Sequence, residues 1–300
     1  MKKLLTILFI IQGICIYAQN SSRNGYYIAP SGTVRAFFVF AEAINDPQDG
    51  GALGDWQPGQ LPPNINTIID HSFINASSVS GHLTKYCYES SLGNFIFLGD
   101  YYPELIQIDY NNIIGDGASQ VMDYLNNLPG SDITTANGYT INSDDFDSWT
   151  PKGAGMQKTQ SSAVYIDVVI ILWRSNSKFT TSRGGGHIHI YNESFTIKNK
   201  IGTNCHSDIC TGGLLGTIRH EFAHALHGGN LFHSGGAGAG NGTYLSNLGG
   251  YSILSTWNSN LDFANGWDRW RLGWKLPSNN YYISARTTSY SEVNSDFTYG

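Results

Sequence analysis

Two stretches of the chain are apolar with scarcely a polar interruption. Residues 34–42 (VRAFFVFAE) are rich in β-branched and aromatic side chains, end in an acid, and predict a central strand. Residues 165–173 (YIDVVIILW) predict a strand covered on both faces, because neither face is left polar. Between the two the period lengthens to that of helices. Residues 78–92 place Leu83, Tyr86 and Cys87 on one helical face, and residues 116–128 (DGASQVMDYLNNL) turn Val121, Met122 and Leu125 inward. Residues 95–98 and 105–108 read as short strands, whereas 45–75 is broken by Pro, Gly and Asn and reads as loop. Residues 184–191 (GGGHIHIY) alternate in the period of an exposed edge strand.

Strands alternating with helices predict an α/β (α+β) fold on a twisted sheet before residue 200. After Gly228 glycine, serine and asparagine dominate, apart from a helical stretch at 266–272, and no internal repeat is visible. The expected organisation is a leader at 1–18, an N-terminal lobe at 19–228 and a smaller, irregular lobe at 229–300. The lobes divide at the end of the helix described below, so the cleft between them is the expected site. The aromatic, Thr-rich residues before Gly300 give no stop to the fold, which leaves open a longer C-terminal part.

The leader rests on residues 1–20, MKKLLTILFIIQGICIYAQN. Two lysines, a short apolar run and the small Ala18 have the layout of a secretory signal peptide, and the run is too short to span a bilayer. Ile14 stands before Cys15 where a lipidation signal has a small residue, so simple cleavage near Ala18 is expected. The net charge of −6 becomes −8 once Lys2 and Lys3 leave with the leader. A chain so acidic lacks the clustered cations that nucleic-acid binding needs. No later segment is apolar enough to cross a membrane, so an exported, soluble protein is expected. Export permits disulfides, and Cys205 and Cys210 are spaced to close a short loop, which leaves Cys87 buried and unpaired.

The segment with chemistry in it is 217–235, TIRHEFAHALHGGNLFHSG. His220, Glu221 and His224 form H-E-x-x-H. Residues four apart on a helix share a face, about 6 Å apart along the axis. Two imidazoles so placed can converge on one Zn²⁺ at about 2.0–2.1 Å each, and Glu221 beside them can act as base toward the attacking water. At this chain's own composition the motif arises by chance about 0.005 times, so the pattern is specific. A catalytic zinc needs a third protein ligand and one open position. His227 shares the helical face but lies about 10 Å along the axis from His220. Gly228 and Gly229 can end the helix and Asn230 tolerates the turn, which makes His233 the preferred third ligand over His227. His187 and His189 on the edge strand are lesser candidates.

H-E-F-A-H-A-L, a glycine turn and then a histidine resemble the metzincin arrangement. It departs in detail, because His227 and Asn230 stand where metzincins have glycine and the third histidine. Residues 251–255 (YSILS) stand where they have a methionine turn, with Leu254 in place of Met. Residues 86–100 (YCYESSLGNFIFLGD), the 165–173 strand and 266–274 (GWDRWRLGW) resemble secreted bacterial peptidases related to immune inhibitor A. The resemblance implies a metzincin-like, two-lobed catalytic domain with a mixed sheet. It also implies an edge strand, Gly186, His187, Ile188 and His189, that pairs with an extended protein substrate. The expected activity is a zinc endopeptidase acting outside the cell. Two alternatives are a zinc-containing adhesion module with a peptidase-like fold, which has no need of Glu221, and hydrolysis of a non-protein amide. Asp144, Asp145 and Asp147 beside Trp149 are a candidate Ca²⁺ cluster, with a solvated loop as the plainer reading. Trp267, Trp270 and Trp274 read as core.

Overall fold

The computed structural model describes residues 28, 30–49, 56–152, 155–158, 165–179, 186–190, 196–198, 205–210, 214–227, 264 and 266–275. Its centre is β1 (Gly32–Ile44), the predicted central strand. Val34, Ala36, Phe38 and Phe40 enter one core and Phe37, Val39, Ala41 and Ala43 the other, so both faces of the strand are buried and its sequence does not alternate. β1 pairs in parallel with β2 (Phe95–Tyr101) and, farther along the same edge, with β3 (Ile106–Asp109). On its other side lies β6 (Val168–Trp173), again parallel, followed by parallel β8 (Cys205–Cys210). The last strand, β7 (Gly186–Ile190), runs antiparallel to β8 and forms the edge, so the order is β2-β1-β6-β8-β7. β4 (Trp149–Lys152) and β5 (Gly155–Lys158) form a separate antiparallel pair.

Helices cover both faces. α2 (His82–Ser90) contributes Leu83, Tyr86 and Cys87 to the first core, together with Ile218, Phe222, Ala223, Ala225 and Leu226 of α4 (Leu214–His227). α3 (Ala118–Asn127) fills the second core with Val121, Met122 and Leu125. The inward residues of both early helices are those their periodicity predicted. α5 (Gly266–Leu272) and Trp274 dock onto the first core, where the Trp274 indole donates to Pro30 O at 2.6 Å and Arg269 Nε donates to Ser90 O at 2.9 Å. The side chains of Trp267 and Trp270 lie outside the described residues. The expected loop at 45–75 holds α1 (Ile65–Ile68), which buries Ile65 and Ile68.

The acid that ends the predicted central strand has a structural task. Glu42 is 2 % exposed and pairs with the fully buried Arg174 just past β6, which also reaches Asp49. Glu42 further accepts from Gly59 N at 2.9 Å and Gln107 Nε2 at 2.8 Å. A buried ion pair is tolerated only when its remaining valences are satisfied in this way.

The expected Cys205–Cys210 disulfide does not form. The two residues stand at opposite ends of β8, five strand steps or roughly 16 Å apart, far beyond the 4.4–6.8 Å Cα separation a bridge needs. An odd number of steps also sends them to opposite faces, Cys205 into the first core and Cys210 into the second. The sequence between them is a strand where a loop was expected. Cys87 is buried as expected, and burial pushes its thiol up to about 12.

Candidate metal centre

The helix that carries H-E-x-x-H follows β8 and is held down by its motif's own middle residues. Phe222, between the two histidines, lies 4.1 Å from the Phe97 ring and 6.0 Å from Phe95, both on β2. Ala223, Ala225 and Leu226 are buried beside it, and Arg219 lies 4.7 Å from the centroid of Tyr86 on α2. Ile28 N donates to Ala225 O at 3.2 Å, so backbone ahead of β1 also holds the helix. Alanine and leucine are strong helix formers, and small side chains let the helix lie close on the sheet.

This seating brings the predicted pair together. His220 and His224 are 2 % and 1 % exposed, their rings stand at 86° with centroids 4.9 Å apart, and their Nε2 atoms are 3.3 Å apart. Two nitrogens each about 2.05 Å from one tetrahedral zinc would lie about 3.3 Å apart, so the pair has the bite that zinc requires. The same distance lets one Nε2–H donate to the other ring, an arrangement that keeps at least one imidazole neutral.

Glu221 completes the group from the next position of the helix. It is 3 % exposed, and burial pushes its carboxyl up to about 8. One of its neighbours is the edge strand. A Cβ built on Gly186 would fall 2.8 Å from Thr217 Cγ2, 2.9 Å from Glu221 Cγ and 3.1 Å from Glu221 Oε1. The strand therefore runs against Glu221 at the one point where it carries no side chain. This contact was not legible in the sequence, where Gly186 is one of three successive glycines.

The register of β7 separates the remaining candidates. Gly186 pairs with Ile209 and residue 188 with Ser207, which with Cys205 belong to the face of β8 toward α4. His187 pairs with Asp208 and His189 with His206, positions on the face shared with Cys210, away from α4. Positions 187 and 189, the lesser candidates for the third ligand, thus fall on the face of β7 away from α4, and their side chains lie outside the described residues. Among the described residues β7 lies at the edge of the sheet, and its main chain remains the candidate platform for a peptide.

His233, residues 228–230 and the 251–255 turn lie outside the described residues. The described helix ends at His227, whose side chain is likewise outside them. Among the described residues no three His, Cys, Asp or Glu side chains converge as a complete ligand set. The candidate Ca²⁺ cluster in particular does not converge. Asp145 pairs with Arg35 at 3.8 Å, while Asp147 turns inward to accept from Tyr165 N at 3.2 Å. Compared with protein-family models, curated proteins and solved structures, the chain matches none.

Proposed function

We propose that this chain is an exported, zinc-dependent endopeptidase with a metzincin-like, two-lobed catalytic domain. The observation that carries the reading is the buried His220–His224 pair, its Nε2 atoms 3.3 Å apart, with the Glu221 carboxyl one residue away on the same helix. His220 and His224 would hold the ion, and His233 remains the proposed third ligand. Zinc, when bound, supplies a Lewis acid for the scissile carbonyl and for water.

The chain's own residues supply the rest. Glu221, raised toward neutrality by burial, takes the proton of the attacking water and passes it to the leaving amine. A carboxylate with an ordinary pKa would be a weaker base in the first half of that exchange. β7, at the sheet's edge among the described residues, would accept an extended peptide by main-chain pairing, with a peptide bond beside Glu221 because Gly186 adjoins it. A purely structural zinc site has no use for a base held in this position.

The test pairs metal analysis of the purified chain with casein digestion. Zinc should be present and chelation should abolish cleavage, with zinc restoring it. Glu221→Gln should keep the metal and lose turnover by at least about 10²-fold. Proteolysis that survives in metal-free protein, or in the zinc-loaded Glu221→Gln variant, would refute the reading.

A further inference from the structure

Trp274 lies outside the H-E-x-x-H motif and is joined to it by two routes. Its side chain is 1 % exposed and stacks on Phe95 at 6.2 Å and 20°, and Phe95 stacks in turn on Phe222 at 6.0 Å and 15°. A column of nearly parallel rings therefore runs from the segment after α5 to the residue between His220 and His224. The second route is through backbone. The Trp274 Nε1–H donates to Pro30 O at 2.6 Å, and shortly before it in the chain Ile28 N donates to Ala225 O at 3.2 Å. The two routes meet the helix at Phe222 and Ala225, which bracket His224. Trp274 is itself held to neighbours of the helix. Its N–H donates to Arg269 O at 2.8 Å, and Arg269 Nε donates to Ser90 O at 2.9 Å, at the end of α2. Ala264 N donates to Ser90 Oγ at 3.0 Å, and Asn94 Nδ2, just ahead of β2, donates to Lys275 O at 2.9 Å.

We propose that Trp274 is a positioning residue for the H-E-x-x-H helix, fixing its roll about its own axis and so the place of His220, Glu221 and His224 over the sheet. An α-helix with its side chains has a radius of about 5–6 Å, so a roll of about 10° carries a side-chain tip about 1 Å. His220 and His224 would keep their mutual approach in such a roll, since both ride on the helix. They would shift, with Glu221, against β7 and against any ligand from outside the helix. A column of buried rings resists the roll, because close-packed side chains leave no room to slide. Trp274→Phe keeps a ring in the column but removes the N–H to Pro30 and part of the surface on which Phe95 rests. The effect of Trp274 on turnover rests on the peptidase reading above, whereas its effect on the two imidazoles does not.

The test compares the full chain as wild type, Trp274→Phe and Leu125→Ala. The last opens a cavity in the second core, on the far face of the sheet, and lowers stability without touching the helix. In the chelator-stripped proteins the imidazole NMR signals of His220 and His224 should move in Trp274→Phe and keep their wild-type positions in Leu125→Ala, even where urea unfolds Leu125→Ala earlier. Zinc affinity, titrated against a competing chelator, should fall by about tenfold in Trp274→Phe and stay within about twofold in Leu125→Ala. Unmoved imidazole signals in Trp274→Phe, or equal movement in Leu125→Ala, would overturn the positioning role. If no protein of the three takes up zinc, the peptidase reading falls, and the imidazole signals alone decide the role of Trp274. Should Trp274→Phe not fold, Asn94→Ala frees Lys275 beside Trp274 from an exposed position. The same imidazole signals should then move in Asn94→Ala, and signals that stay at their wild-type positions overturn the proposal.

Discussion

Gly186→Ala tests how the base is positioned. The added methyl would lie 2.8 Å from Thr217 Cγ2, 2.9 Å from Glu221 Cγ and 3.1 Å from Glu221 Oε1. Carbon atoms prefer about 3.5–4.0 Å, so something must move by roughly 0.5–1 Å. Gly186 is not among the glycines with positive φ, so alanine suits the backbone and the effect is steric alone. Overpacking of this kind costs about 1–3 kcal/mol, which a domain can survive. The two atoms of Glu221 in the contact are the ones that place its carboxyl, and a displacement near 1 Å costs about 10²-fold in rate. The expected result is kcat on a peptide substrate lowered by about that factor, with zinc content unchanged and KM altered less. Adding Thr217→Ala removes the closest contact and should recover part of the loss. A folded, zinc-loaded Gly186→Ala protein with kcat within twofold of wild type would show that Glu221 is not positioned by the strand.

Three further outcomes follow from the same geometry. In chelator-stripped protein the Glu221 carboxyl sits near 8 when folded, against about 4.3 when unfolded, so the folded form keeps a proton the unfolded form has lost. Its contribution to stability is present in full below about pH 4 and is lost as pH rises to 8, by at most about 5 kcal/mol, and Glu221→Gln should flatten that slope in urea titrations. Phe222→Ala removes a ring packed on Phe95 and Phe97 and should cost about 3–5 kcal/mol in urea unfolding, with weaker zinc retention than wild type. For the third ligand, His233→Ala should lower zinc affinity at least as much as His224→Ala while His227→Ala stays mild, and the reverse order by zinc titration would move the ligand into the helix.

What the sequence reveals here depends on whether a signal is local. The helical faces of residues 83–87 and 121–125 follow from periodicity alone, and the spacing of His220 and His224 already implies that they converge. β8 escapes notice because CHSDIC carries two cysteines and three polar residues that suggest a loop, yet all six are buried between β6 and β7. One of its polar side chains, Asp208, accepts from the Trp173 indole on neighbouring β6, and no local pattern records that. The contact between Gly186 and Glu221 is likewise non-local, joining positions 35 residues apart. The sides on which His187 and His189 fall are fixed by pairing register, which a single step would invert.

The order Phe222 between His220 and His224 has a consequence in time. The two imidazoles cannot hold their 3.3 Å approach until the helix is docked, and the helix docks by inserting Phe222 against β2, a strand more than a hundred residues earlier in the chain. Contacts so distant in sequence close late in folding. The paired imidazoles are therefore assembled late, after the sheet has been drawn together.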